Sequence, residues 1–143
     1  MDPCCFHQLA QTLLKANGPA ELRTAISRAY YAVYHVAVAE LEKLGFRIPK
    51  GPQGHANVQR RLFGSGDLVT EKAGPKLQTL YTRRLHADYQ LDRSDVENSR
   101  LAQALVEQAD RLIHDIRQSV SDPGKRVKII DAIKAYDQKV PPG

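Results

Sequence analysis

Long apolar runs are missing from this chain. The longest candidate, 29–39, falls short of the ~18 residues a membrane-crossing helix needs and is broken by His35, so no membrane span is expected. Cysteine is scarce: Cys4 and Cys5 are adjacent and could pair only through a strained ring. A disulfide framework is therefore excluded, and two free thiols in a frayed N-terminus are expected, as suits a reducing compartment. The opening Met1-Asp2-Pro3-Cys4-Cys5 has no basic segment followed by an apolar one, so nothing there marks the chain for export and a cytoplasmic location is expected. Strand-type alternation, internal repeats and low-complexity tracts are also missing. The five histidines (His7, His35, His55, His86, His114) show no His-x-x-x-His spacing, there is no Cys-x-x-Cys, and no metal site is expected. Gly64-Ser65-Gly66 lacks the Gly-Lys-Ser/Thr ending of a phosphate loop and follows no strand, so nucleoside triphosphate hydrolysis is unsupported and no cofactor is expected.

What is present fits one domain spanning 1–143. The chain is 42% hydrophobic and 26% charged, enough to hold a core without staples. Lys and Arg outnumber Asp and Glu 21 to 16, a net charge of +5 that biases the surface toward anionic partners such as RNA, DNA or nucleotides. Glycine and proline punctuate the sequence into helical blocks: 6–16, a long one at 20–44 with Gly45 as its C-terminal cap, 55–63, and 71–89, with Gly74-Pro75 near its start. Ser94-Asp95-Val96-Glu97 reads as a capping box opening a long helix, 94–120, whose stripe is Leu101, Leu105, Leu112, Ile113, Ile116 and Val120. A last helix, 126–139, carries Val127, Ile130 and Ile133 before a Pro141-Pro142 tail. The predicted fold class is all-α, an antiparallel helical bundle on two long helices plus shorter ones, with its core over about 6–120.

Two helices hold the candidate chemistry. On 20–44, Leu22, Ala25, Ile26, Ala29, Val33, Ala37, Leu41 and Leu44 share a broad core side, while Ser27, Arg28, Tyr31 and His35 cluster opposite. That second side is either a solvated face with aromatic edges, or an anion or nucleotide pocket or partner surface. Ser27 and His35 are eight residues apart, about 12 Å along the axis, and make no nucleophile pair. On 71–89, Leu77, Leu80, Ala87 and Leu91 define an apolar stripe into which Arg84 also falls, a costly place for a guanidinium unless it is paired. Asp88 lies one turn on, placed to pair with it, and Tyr89 follows. The pair is either structural, at a helix seam, or a functional arginine facing a groove; Arg83 beside it reads as an exposed positive charge.

The run Arg23-Thr-Ala-Ile-Ser27-Arg28-Ala-Tyr30-Tyr31-Ala32-Val-Tyr-His35 resembles the Ser-Arg-Ala-Tyr-Tyr-Ala helix of bacterial and archaeal HEPN-domain proteins. His55-Ala-Asn57-Val58 followed by Phe63 looks like the family's His-x-x-Val stretch, and Arg84-Leu-His-Ala87-Asp88-Tyr89 is similar to its Arg-x-x-Ala-Asp-Tyr signature. The resemblance implies a compact helical bundle, a homodimer, and a polar cleft near its two-fold axis. Many HEPN proteins are metal-independent ribonucleases, often toxins encoded beside a small nucleotidyltransferase, whose signature is Arg, four to six residues, then His. Here Tyr89 stands where that histidine would follow Arg84, and His86 comes too early. A tyrosine is a poorer base at neutral pH, though it still donates a hydrogen bond. The resemblance thus implies Arg84 and Tyr89 as catalytic candidates, with Arg28, Tyr31, His35, His55, Arg83 and Asp88 binding nucleotide or RNA. It leaves two functions open: an RNA- or nucleotide-binding protein, as a toxin–antitoxin component with weak or absent ribonuclease activity, or a non-catalytic regulatory partner of a nucleotidyltransferase.

Overall fold

The computed structural model describes residues 1–141; Pro142 of the expected tail lies outside them. Six α-helices and one 3-10 turn follow in order: α1 Cys4–Ala16, α2 Pro19–Lys43, α3 Gln53–Phe63, α4 Leu68–Tyr89, the turn Ser94–Glu97, α5 Ser99–Ser121 and α6 Pro123–Lys139. There is no strand among the described residues, and none of their helices is long and apolar enough to cross a membrane. The fold is the all-α bundle the periodicity predicts, although α4, with 22 residues, is nearly as long as α2 and α5.

α2 is the central element and packs against α1, α4 and α5. Its buried surface is rich in small residues (Ala25, Ala29, Ala32, Ala37), which let neighbouring backbones approach, with Ile26, Val33, Val36 and Leu41 filling the remaining space. Gly45, at φ +95°, follows the helix in a left-handed conformation that glycine adopts without strain. α5 supplies the other principal stripe, with Leu105, Leu112, Ile113, Ile116 and Val120 all buried.

Several boundaries differ from the sequence expectation, each for a local chemical reason. The thiols are not in a frayed end: Cys4 and Cys5 sit in the first turn of α1, and the Cys4 Sγ accepts a hydrogen bond from Arg117 Nη1 at 3.1 Å. α4 starts at Leu68, three residues early, because the Asp67 carboxylate accepts from the Thr70 amide and hydroxyl. Pro75 therefore lies inside α4, beyond its first turn, at an exposed position. Next to it, Gly74 lets α3 come close, since a Cβ there would lie 3.2 Å from the Gln59 carbonyl. α6 likewise starts at Pro123, capped by Asp122.

The Ser94–Glu97 capping box does not form. Ser94 caps nothing, and these residues make a 3-10 turn. α5 begins only after Asn98, whose side chain accepts from the Leu101 amide. Glu97 turns instead to Arg23, whose Nε donates to it at 3.1 Å. The rest of the Arg23 guanidinium, buried beneath the end of α4, donates to five main-chain carbonyls: His86, Ala87, Gln90, Leu91 and Arg93, at 2.7–3.3 Å. One planar side chain thus satisfies the last carbonyls of α4 and fixes the loop that leaves it. That loop carries Leu91 outward, 77% exposed, so Leu91 does not belong to the apolar stripe.

Replacing Arg23 by Ala would leave buried carbonyls and the Glu97 carboxylate unpaired, a loss of about 3–5 kcal/mol. A fall in melting temperature of about 10 °C or more is expected by circular dichroism. Arg23→Lys should not restore it, because three ammonium donors cannot reach six acceptors arranged for a planar fork.

Candidate functional site

The central turns of α2, the start of α3 and the second half of α4 meet in a cluster of rings and guanidinium groups. Tyr30, Tyr31 and Tyr34 come from α2, His55 from α3 and Tyr81 from α4; His35 and Phe6 of α1 extend the edge. His55 is the hub, 4.6 Å from the Tyr34 ring and 5.0 Å from that of Tyr81. Gly54 makes room for this: a Cβ there would collide with the Tyr34 hydroxyl and the Pro49 carbonyl. Tyr30 is fully buried and engages His55 Nδ1 through its hydroxyl. Burial, reinforced by the neighbouring tyrosines, pushes the Tyr30 hydroxyl far above its ordinary value, so it stays protonated. His55 Nδ1 is engaged by it in either tautomer.

Arg84 lies against this cluster, its side chain only 11% exposed. Its guanidinium carbon sits 5.0 Å from the Tyr31 ring centre, 5.5 Å from that of Tyr89 and 5.9 Å from that of Tyr81. Nε donates to Asp88 Oδ2 at 3.0 Å, and the same oxygen accepts from Ser27 Oγ at 3.1 Å. Neither Nη group has a protein partner among the described residues, and neither is sealed from water. Both Nη groups therefore keep some contact with water, framed by rings, and retain donors for an oxyanion. Arg28 lies one step along α2, over Phe6 at 4.8 Å and Tyr31 at 5.1 Å.

Of the residues expected from sequence, Arg28, Tyr31, His35, His55, Arg84, Asp88 and Tyr89 come together within one chain. The α2 face is not the solvated one that was an alternative: Ser27 is buried and Tyr31 half-buried, with only His35 at its open edge. Tyr89 belongs to the cluster as its outermost ring, 70% exposed. Arg83 does not belong. It points to the other side of α4 and pairs with Asp95 at 3.0 Å, where Arg93 also binds Asp95. Sequence reasoning missed Tyr34, Tyr81 and Phe6, and gave Tyr30 no role; the Tyr30-Tyr31 and Tyr34-His35 pairs were a signal, since adjacent rings on one helix cannot all face water. Among the described residues, no three His, Cys, Asp or Glu side chains gather where a metal ion could sit.

The electrostatics favour neutral imidazoles. Desolvation lowers the His55 pKa, and the nearby Arg84 charge and His35 lower it further; His35 is lowered by desolvation among the rings and by Arg28. The site thus keeps its positive charge on two arginines rather than on histidines. His86, behind the site, is also lowered, by desolvation and by Arg93 and Arg83.

Because these histidines hold protons less tightly folded than unfolded, the unfolded chain takes up more protons as pH falls. Stability should be complete above the ordinary histidine value of about 6.5 and decline below it. In a histidine NMR titration His55 should titrate below that value, and Arg84→Ala should shift it back upward by removing a like charge; an unmoved His55 would contradict the placement of Arg84.

No family model, curated protein or solved structure matches the chain, so the reading of this site rests on its own residues.

Proposed function

We propose that this chain is a HEPN-like protein that binds single-stranded RNA or a nucleotide at the ring-and-guanidinium face, with weak or absent cleavage. One observation carries the reading: the Arg84 fork, desolvated by Tyr31, Tyr81 and Tyr89 and held by Asp88, presents two unpartnered Nη groups beside open aromatic edges. A phosphate meets a planar donor pair there, and the adjacent rings offer stacking surfaces, the two components of single-strand recognition. The resemblance of the Ser27–Tyr31 and Arg84–Tyr89 segments to HEPN motifs supports the same assignment.

The chemistry argues for binding over efficient catalysis. Metal-independent cleavage of RNA needs a base for the 2′-hydroxyl and a cation for the charge that develops on phosphorus. Arg84 can supply the second. His55 is a poor base, since its Nδ1 is engaged by Tyr30 and desolvation, Arg84 and His35 lower its affinity for a proton. His35, neutral and at the open edge, has no hydrogen-bond partner among the described residues and is free to accept a proton, on the Arg28 side of Tyr31. The exposed Tyr89 and Leu91, at and just past the end of α4, are apolar surface that supports a second copy of the chain meeting this edge of the site. The alternative role, a regulatory partner of a nucleotidyltransferase, draws on Asp88, which already accepts from both Arg84 and Ser27 as a self-contained structural pair would.

Fluorescence anisotropy with single-stranded oligouridine tests the proposal. Wild type should bind with affinity falling as salt rises, at a log–log slope of about −0.7 per phosphate contacted. Arg84→Ala should weaken binding about tenfold or more, the scale of one charge-assisted contact. Incubation with RNA in EDTA should give slow cleavage or none, abolished in Arg84→Ala. Absence of wild-type binding at low salt would favour the regulatory role.

A further inference from the structure

A shallow hollow lies between α3 and α4, and the segments of the chain that include this region carry more basic than acidic residues. Residues 40–76 together with α6 hold 12 of the 21 Lys and Arg but only 6 of the 16 Asp and Glu. At the cluster Arg84 is ion-paired while Arg28 has no ion pair within 4 Å among the described residues, and Arg23, Arg83 and Arg93 behind it are paired. Beyond it, Lys72, Lys76 and Lys139 have no ion pair within 4 Å among the described residues.

One end of the hollow lies a helical turn from Tyr81 on α4. Ala56 follows His55 on α3, and Gln78 lies one turn before Tyr81 on α4; both line a hollow of about 290 Å³ that ends against Phe63. On the far side of Phe63 a second hollow, about 400 Å³, is bounded by Tyr136, Lys139 and Glu71. Phe63 itself is 56% exposed, a ring standing between two recesses with the Tyr136 ring edge-on at 6.2 Å. α6 is held tightly here, by Arg60 donating to Asp137 at 2.7 Å and by the close approach of Gly64, where a Cβ would strike the Tyr136 ring. His55 and Phe63 are eight residues apart on α3, about 12 Å along its axis.

We infer that this groove is a second station for single-stranded RNA: a strand anchored at Arg84 continues between α3 and α4, stacks a base on Phe63, and lays its phosphates against Lys76 and Lys139. The inference rests on the RNA reading of the Arg84 face and adds a direction and a second contact to it. Ring surfaces at intervals, flanked by cations that nothing else neutralises, are what unstacked bases and their phosphates require. The glutamines Gln59 and Gln78 within the first hollow supply amide groups for base edges. One acid, Glu71, faces the second hollow.

The test compares Phe63→Ala and Arg84→Ala with wild type on oligouridine of about 4 and about 12 nucleotides. Phe63 is exposed, so its variant should melt as wild type does. On the longer strand Phe63→Ala should lose at least about fivefold in affinity, the lower end of one base–aromatic stack, while the shorter strand is unaffected. Arg84→Ala should weaken both. Wild-type affinity of Phe63→Ala for the longer strand overturns the groove and leaves the Arg84 reading standing. Loss in Phe63→Ala with none in Arg84→Ala supports the groove and removes the anchor. Equal loss on a duplex of the same length overturns the stacking role, because paired bases cannot reach the ring.

Discussion

The buried Arg23 guanidinium is the constraint on which the arrangement around Arg84 depends. A helix ends with carbonyls that lack partners, and where the end is buried against another helix, water cannot serve them. Arg23 solves this for α4 from outside: it enters from α2 and takes the carbonyls of His86 and Ala87 together with three from the following loop. Its position on α2 is set by the burial of Leu22 and Ile26 on either side. The same helix presents Ser27 and Tyr31 one and two turns later, where they meet Asp88 and Arg84. The register between α2 and α4 is therefore fixed at one point by carbonyl capture and read out at the next two turns as the site.

Within the site, aromatic rings do the electrostatic work that acids do elsewhere. A guanidinium removed from water needs compensation, and one carboxylate meets part of that need through Nε. Ring faces supply the rest without occupying the Nη donors, since a quadrupole attracts a cation without accepting a directed hydrogen bond. An arginine matched by two carboxylates would be satisfied and closed; Arg84 is stabilised yet keeps its fork open. The imidazoles of His35 and His55 stay neutral first because burial desolvates them, and further because their charged neighbours are arginines rather than carboxylates.

Much of this was legible in the residue order. The α2 core side, the α5 stripe, the cap at Gly45 and the pairing of Arg84 with Asp88 all follow from spacing within single helices, where 3.6-residue geometry is enough. The resemblance of the α2 and α4 segments pointed to the same residues, and the chain brings all of them together except Arg83. What was not legible depends on partners distant in sequence. Ser94-x-x-Glu97 has the form of a capping box, but Glu97 is claimed by Arg23 from 74 residues away, and Asn98 caps α5 in its place. Leu91 matches the α4 stripe by count, yet α4 has already ended, its last turn tied down by that same arginine. Local rules failed where one long-range contact outweighed them.

The separation of charge along the chain gives the two ends of the α3–α4 surface different physical roles on the proposed reading. Ion-paired arginines contribute little to the field at a distance, because each is screened by its own carboxylate. Lys72, Lys76 and Lys139, exposed and without an ion pair among the described residues, add to the field that an approaching polyanion feels and so to the rate of encounter. Arg84, paired with Asp88, and the rings act at contact, where desolvation makes geometry decisive. On the proposed reading, attraction without discrimination at one end is joined to discrimination with little reach at the other, which is how a weakly basic protein of this size would collect an anionic strand.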